Sequence, residues 1–373
     1  MARNEGAQEA DALAALRAEI DRLDSELLER FNARARAAEA VAEVKRRFAE
    51  SRAGDGLAFY RPEREAAVLA RLRAANPGPL SDDVIAGLFR EVMSACLALE
   101  APQRVAYLGP EGTFTEQAAE RHFGAFADFR PAPSITEVFR AVEAGQADFG
   151  VVPVENSTEG VVNQSLDALL ATPLTIVGEL ELPIHQHFLL HPEASLEELT
   201  AVWSHPQSLA QCRGWLDRHW PQLTRVPAAS NGEAAAQVAK NPQLAALAGD
   251  PAQKRYGLRA EARCVEDAPD NCTRFFVLGR QAVAPSGDDR TSLVVTTKNE
   301  PGALLRVLEP FSAAGVNLLR VESRPARLGQ WTYAFFVDLE GHREDEAVRG
   351  ALGALERLAL DLRVLGSYPR PQR

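Results

Sequence analysis

Apolar residues recur at spacings of three and four from Leu13 through Leu16, Ile20, Leu23, Leu27 and Phe31, the stripe of one long amphipathic helix. The pattern runs on through an alanine-rich stretch to about Phe48 without a proline or glycine. So narrow a seam on so long a helix calls for a partner chain to cover it. Gly54 and Gly56 break the pattern. A second helix is expected from Pro62 to Ala75, ended by Asn76-Pro77-Gly78-Pro79,. Ser81 caps a third over 82–99, Asp82 and Asp83 suit its positive end, and Pro102 stops it,.

After Gln103 the period changes. Arg104 to Gly109 reads as a strand entering a Gly/Pro turn, and Thr115 to Phe123 as a helix. Strands expected at 149–154, 174–180 and 187–190 alternate with helices at 134–144 and 162–171. Further strand and helix signals follow at 201–204, 208–219, 232–239, 244–248 and 275–279. This alternation predicts α/β layers with mainly parallel strands, long enough for two lobes around a cleft. Pro285-Ser-Gly-Asp-Asp289 reads as a linker,. Beyond it come strand 291–298, helix 301–314, strands 316–325 and 330–339, helix 344–358 and strand 361–367, a βαββαβ order. The expected fold is multidomain: an all-α three-helix unit over 11–101, a two-lobed α/β unit over 104–282, and an α+β ferredoxin-like unit over 290–369.

Composition narrows the function. The net charge of −11 disfavours nucleic acid and anionic membranes as partners. No stretch is apolar enough for a membrane span, and Glu5 and Glu9 stand where a secretory signal would be basic and then apolar,. The four cysteines form no CxxC pair, which points to a cytoplasmic protein. His185, His187 and His191 suggest a metal cluster, but no paired cysteine or carboxylate completes a site, so no metal is expected.

In the helical unit, Arg34 and Lys45 are eleven residues apart and fall about 20° apart on the helical wheel. Arg17 falls about 100° from Arg34 and points into a different site. The run Leu16-Arg17-x-x-Ile20-Asp21-x-Leu23-Asp24-x-x-Leu27-Leu28, followed by Arg34, Lys45 and Arg64-Glu65, resembles the helical chorismate mutase family. That resemblance implies an interlocked homodimer or higher oligomer. Arg17 from the partner, with Arg34 and Lys45, would hold the carboxylates and ether oxygen of chorismate. Arg64 and Glu65 would line the same pocket, as would Cys96 and Glu100, which stand where the family commonly has serine and glutamine. Arg61 occupies a position where aspartate is expected. The rearrangement to prephenate needs no nucleophile, only a compact conformer and stabilisation of charge on the ether oxygen.

In the middle unit, Gly109-Pro-Glu-Gly112-Thr113-Phe114, Val152-Pro153-Val154-Glu155-Asn156, Ser204-His205-Pro206-Gln207 and Thr273-Arg274-Phe275 each sit where a strand meets a loop. Such strand ends build ligand sites in α/β sheets. Together, in this order and spacing, they resemble prephenate dehydratase. The resemblance implies that the ring hydroxyl and carbon dioxide of prephenate leave together to give phenylpyruvate. Thr273 would hydrogen-bond and protonate the leaving hydroxyl, with Arg274 as carboxylate clamp or lobe anchor. Glu155, Asn156, Ser204, Gln207 and Gln211 would be polar groups of the cleft, and Thr113 a donor at a helix terminus.

In the last unit, Pro301-Gly302-Ala303-Leu304, Asn317-Leu318 and Glu322-Ser323-Arg324-Pro325 resemble the effector motifs of ACT regulatory domains. The implied ligand is phenylalanine, and no cofactor is implied anywhere. Two other readings of the chain are a monofunctional dehydratase whose helical unit only dimerises, and a non-enzymatic amino-acid sensor.

Overall fold

The computed structural model describes residues 2–49, 60–325 and 332–371. Gly54 and Gly56, and the start of the strand expected at 330, lie outside the described residues.

Helix α1 (Ala2–Ala49) is 48 residues long. It lies along α3 (Asp82–Glu100) through its C-terminal half, where Ala42 is buried. Leu13, Leu16, Ile20, Leu23, Leu27 and Phe31 are all exposed, so none of the described residues covers the apolar stripe. Between the two, α2 (Pro62–Ala75) begins at its expected proline, and Ser81 Oγ caps α3 by accepting from Val84 N. Tyr60, just ahead of α2, is 5% exposed and packs on Phe123 and Phe149 of the next unit.

The first lobe is built from β1 (Arg104–Leu108), α4 (Phe114–Phe123), β2 (Asp128–Ala132), α5 (Ile135–Glu143), β3 (Phe149–Asn156), the two-residue β4 (Gly160–Val161), α6 (Asn163–Ala171) and β5 (Thr175–Pro183). The chain then crosses to a second lobe made of β6 (His187–Leu190), β7 (Ala201–Ser204), α7 (Pro206–Gln211), α8 (Arg213–His219), β8 (Thr224–Pro227), α9 (Asn231–Val238), β9 (Leu244–Ala248), α10 (Asp250–Tyr256) and β10 (Arg259–Ala262). It returns as β11 (Cys272–Gly279), inserted between β3 and β5. The expectation of mainly parallel strands needs correction. β1 pairs parallel with β2 and β3, but β11 is antiparallel to both its neighbours. The second sheet mixes directions in the same way, with β6 antiparallel to β9 and β10. A chain that leaves a lobe and comes back must re-enter its sheet against the strand by which it left.

The third unit comprises β12 (Asp289–Lys298), α11 (Ala303–Ala313), β13 (Leu318–Pro325), β14 (Thr332–Glu340), α12 (Glu346–Glu356) and β15 (Asp361–Pro369), with strand order β13-β14-β12-β15. Alternation along its strands divides the side chains between two cores. Leu293, Val295, Phe335 and Val337 face α11 and α12. Val294, Ala334, Phe336 and Tyr368 instead join the core of the first lobe. Gly366 makes that approach possible, because a Cβ there would lie 2.1 Å from the carbonyl oxygen of Ile176. The segment expected to be a linker is a closed turn: Asp289 accepts from Ser286 N and Gly287 N. The third unit is therefore docked on the first lobe over a shared apolar layer.

Candidate active sites

In the helical unit, Arg34 and Lys45 both face α3, as their wheel positions require. Arg34 Nη1 donates to Val92 O at 3.4 Å, and Lys45 Nζ lies 3.8 Å from Glu100 Oε2. The Glu100 side chain is 11% exposed, and among the described residues that oxygen accepts no hydrogen bond. Cys96 is buried one turn earlier on α3,. Arg17 sits on the exposed half of α1, remote in sequence from the half that packs. The structure does not bring Arg64 and Glu65 to this group. Arg64 is exposed, and Glu65 pairs with Arg90 at 3.4 Å. The reason is angular: Arg90, ten residues before Glu100, lies about 80° round α3 from it, and α2 packs on that other face.

Glu65 lines a cavity of about 1150 Å³ between the helices and the first lobe, together with Tyr60, Arg90 and His122. Burial pushes the Glu65 carboxyl up to about 7, with Arg90 pulling partly the other way,. Burial, and then the Arg90 charge, push His122 down to about 3, so its ring is neutral. Tyr60 Oη and His122 Nε2 are 2.9 Å apart.

The second site forms where β3 and β11 run out toward the crossovers between lobes. Asn156 and Thr273 are directly paired across those strands. Asn156 Nδ2 donates to Thr273 Oγ1 at 2.8 Å and to Asn271 Oδ1 at 2.8 Å. Asn156 Oδ1 in turn accepts from Thr158 N and Glu159 N, which fixes the amide. Thr273 Oγ1 thus receives a hydrogen bond and keeps its own proton to give, polarised by the donor behind it. Thr273 is 8% exposed. Gln211 of the second lobe reaches this cluster by accepting from Asn271 Nδ2 at 3.3 Å.

A second buried network lies in the other lobe. Ser204 Oγ is 2.9 Å from Asn231 Oδ1 and 2.6 Å from Leu247 O. Asn231 Nδ2 donates to Ser208 Oγ and to Gln186 Oε1. Gln207, at the start of α7, is half-buried. Thr113 caps α4, accepting from Glu116 N and donating to Leu108 O, so its hydroxyl is spent on the backbone. Across the cleft, Gly232 lets the second lobe touch the Gly109–Gly112 turn: a Cβ would lie 2.4 Å from Glu111 O.

Two expected cleft residues point elsewhere. Glu155 and Arg274 pair with each other one step along the same strands, so the pleat turns them to the opposite face from Asn156 and Thr273. Arg274 contacts Glu179 at 2.6 Å and Asp338 at 2.6 Å. Glu155 contacts Arg320 at 3.0 Å. Arg274 was expected as carboxylate clamp or lobe anchor, and its contacts are to its own lobe and the third unit. The Thr273 cluster is left with neutral amides and hydroxyls.

Sequence reading also missed Asn271, Asn231 and Gln186. Asn271 stood in plain view within Asn271-Cys-Thr-Arg-Phe, whereas Asn231 and Gln186 carry no local signal. The histidines did gain neighbours: His185 Nδ1 is 2.8 Å from Glu266 Oε1, and Cys264 lies beside both. Glu266 Oε2 accepts from Gln186 N, so this carboxylate joins the two crossover segments.

In the third unit, Gly302 has φ +78° and precedes α11, which opens at Ala303. Leu304 is exposed. Asn317 and Leu318 lead into β13, which also carries Glu322, Ser323 and Arg324. Arg324 reaches back to α6, donating to Asn163 Oδ1 at 2.5 Å and pairing with Asp167 at 2.8 Å.

A three-helix unit, a two-lobed unit with a Thr–Asn cluster at its crossovers, and a docked βαββαβ unit define a multidomain enzyme with its own regulatory domain. Comparison with known proteins agrees unit by unit. Residues 16–101 match the model of chorismate mutase type II, 105–283 that of prephenate dehydratase, and 291–357 that of the ACT domain. A bifunctional chorismate mutase/prephenate dehydratase of Stutzerimonas stutzeri is 50% identical over 97% of this chain and 99% of its own length. A prephenate dehydratase from Arthrobacter aurescens, solved in complex with L-Phe, superposes with a TM-score of 0.67 at 36% identity, covering 72% of this chain and 90% of that one. A protein described as a quorum quenching acylase superposes at 0.66 with 29% identity over 72% of this chain and 98% of that one. The chain belongs to the bifunctional chorismate mutase/prephenate dehydratase family. The match extends through the helical unit, so it is more than a dehydratase with an unrelated appendage. Among the described residues, no helix is long and apolar enough to cross a membrane.

Proposed function

We propose that Arg34, Lys45, Cys96 and Glu100 form one wall of a chorismate mutase pocket that Arg17 of a second copy completes. The exposed stripe on α1 supports this reading, since a homodimer would bury it and carry Arg17 across. Prephenate is then dehydrated and decarboxylated at the lobe crossovers. As carbon dioxide leaves, its electron pair enters the ring, the ring hydroxyl departs, and the Thr273 proton converts it to water. The threonine recovers a proton from solvent. Asn156 orients Thr273, Asn271 and Gln211 tie that pair to the other lobe, and Ser204 and Gln207 line the opposite wall. Phenylalanine binds the third unit around Gly302–Leu304 and the start of β13, at a seam between two copies. The cytoplasm suits the chain, because an exposed free thiol such as Cys264 persists best in a reducing compartment.

The observation that carries the dehydratase reading is the 2.8 Å contact of Asn156 Nδ2 with Thr273 Oγ1. The test is to incubate purified protein with chorismate, and in parallel with prephenate, and follow prephenate and phenylpyruvate separately, with and without phenylalanine. Both products should form, and phenylalanine should slow the second. A protein that makes phenylpyruvate from prephenate but leaves chorismate untouched has only a dimerising helical unit, and one that does neither is a sensor.

A further inference from the structure

The back of the dehydratase site is held by charges that belong to the ACT unit. Glu155 and Arg274 are a cross-strand pair on β3 and β11, 4.0 Å apart. Facing them, Arg320 and Asp338 are a cross-strand pair on β13 and β14. Arg320 Nε reaches Glu155 Oε2 at 3.0 Å, and Arg274 Nη1 reaches Asp338 Oδ2 at 2.6 Å. The four side chains thus form a square of alternating charge that joins two sheets. Around it, Asp338 Oδ1 accepts from Ser292 Oγ, and Glu179 accepts from Arg274, Arg290 and Tyr368.

We propose that Arg320 and Asp338 are positioning residues for Thr273, and that this square is the contact through which phenylalanine bound to the ACT unit acts on the dehydratase cleft. The second part rests on the effector site assigned above. Asn156 and Thr273 stand one residue from Glu155 and Arg274 on the same two strands, on the opposite face of the pleat,. A displacement of Glu155 or Arg274 therefore tilts the pair that carries the chemistry. Arg320 lies on β13 between Leu318 and Glu322, within the stretch assigned to the effector, and is 3.7 Å from Glu322. Arg324, on the same face of β13, grips α6, which follows β3 and β4 in the chain. One strand thus carries effector residues and touches the lobe that holds Thr273. The square is also poorly suited to gradual change. The Glu179 side chain is fully buried and that of Arg274 is 10% exposed, so a half-broken arrangement leaves a buried charge unmatched, and the contact favours one of two discrete states.

The test uses the full-length protein and these variants: Arg320→Met, which keeps length but not charge, Arg320→Lys, which keeps charge but not the fork, Asp338→Asn, and Glu155→Gln alone and combined with Arg320→Met. Phenylalanine binding is measured by calorimetry, and phenylpyruvate formation from prephenate as kcat and KM. Turnover of chorismate serves as the check that each variant is folded. Arg320→Met should lower dehydratase kcat more than it changes KM. It should still bind phenylalanine, yet lose about 5- to 100-fold of the coupling between that binding and the dehydratase reaction. Arg320→Lys should recover part of the loss, and Asp338→Asn should resemble Arg320→Met. Should Asp338→Asn fail to fold, Arg320→Met decides alone. Inhibition equal to wild type at equal occupancy overturns the proposal. So does parallel loss of binding and inhibition, which would make Arg320 an effector ligand. If wild type binds no phenylalanine, the effector site is wrong, and the positioning claim is judged on kcat. Glu155→Gln and Arg320→Met must then be non-additive, and additive losses overturn it.

Discussion

Replacing Asn156 by aspartate changes almost no volume and reverses the polarity of one contact. In the native site Asn156 Nδ2 gives hydrogen bonds to Thr273 Oγ1 and Asn271 Oδ1. A carboxylate has no proton for either. Its oxygen would face Asn271 Oδ1 across the same gap, and it would draw the Thr273 proton toward itself, away from the leaving hydroxyl. Asn156 is 9% exposed, so water compensates little. Removing one oriented donor from such a site costs about 10²–10³ in kcat, or about 3–4 kcal/mol of barrier. The loss to folding should be smaller, about 1–3 kcal/mol. The assay is initial-rate formation of phenylpyruvate from prephenate, with thermal melting as the check on folding. Thr273→Val should fall at least as far. The double variant should be no worse than Thr273→Val, because the two side chains act as one unit. An Asn156→Asp enzyme within about threefold of wild type, or a double variant showing the product of both losses, would falsify the claim that Asn156 works through Thr273.

Three further outcomes are expected. Arg17→Ala and Lys45→Ala, each inactive as a mutase, should recover activity when their subunits are mixed, since one pocket of a heterodimer then holds both residues; no recovery in verified heterodimers refutes the shared pocket. Glu100→Gln should keep or raise chorismate turnover, because an amide can donate to the ether oxygen where a carboxylate repels; a loss beyond about tenfold would mean that the carboxyl itself is required. Glu65 has a folded pKa of about 7 against 4.5 as the ordinary value. The folded state therefore holds the extra proton between these values, and stability is greatest at the acid end and falls as pH rises through about 7. The full effect is about 3 kcal/mol. Glu65→Gln should remove that slope in urea midpoints compared between about pH 5 and pH 8; parallel profiles for the two proteins exclude the buried acid.

Local signals were legible from the sequence, and relations between faces were not. Pro62, Ser81 and Pro102 fix helix ends by their own chemistry, and the structure places α2 and α3 accordingly. The strands expected at 291–298 and 330–339 likewise correspond to β12 and β14 over the described residues. The two-residue period of a strand separates Glu155 from Asn156 and Arg274 from Thr273, yet the motifs placed Glu155 in the cleft with Asn156 and left Arg274 open between clamp and anchor. What turned Arg274 outward is a pair of acids 95 and 64 residues away, which no local pattern reveals. Glu65 was expected beside Arg34 and Lys45 and within this chain lies against Arg90, because a helical wheel gives angles within one helix but not which face of α3 receives α2. His185 and Glu266, 81 residues apart, meet only because the chain crosses between lobes twice.

The most direct test of the division between the two sites is a time course from chorismate with Thr273→Val, prephenate and phenylpyruvate being measured in the same samples. Thr273 lies in β11, while Arg34, Lys45 and Glu100 lie in α1 and α3. Chorismate should disappear at the wild-type rate, prephenate should accumulate, and phenylpyruvate should be lower by about 10²–10⁴ in rate. Phenylpyruvate at the wild-type rate, or loss of both reactions in a folded protein, would contradict it.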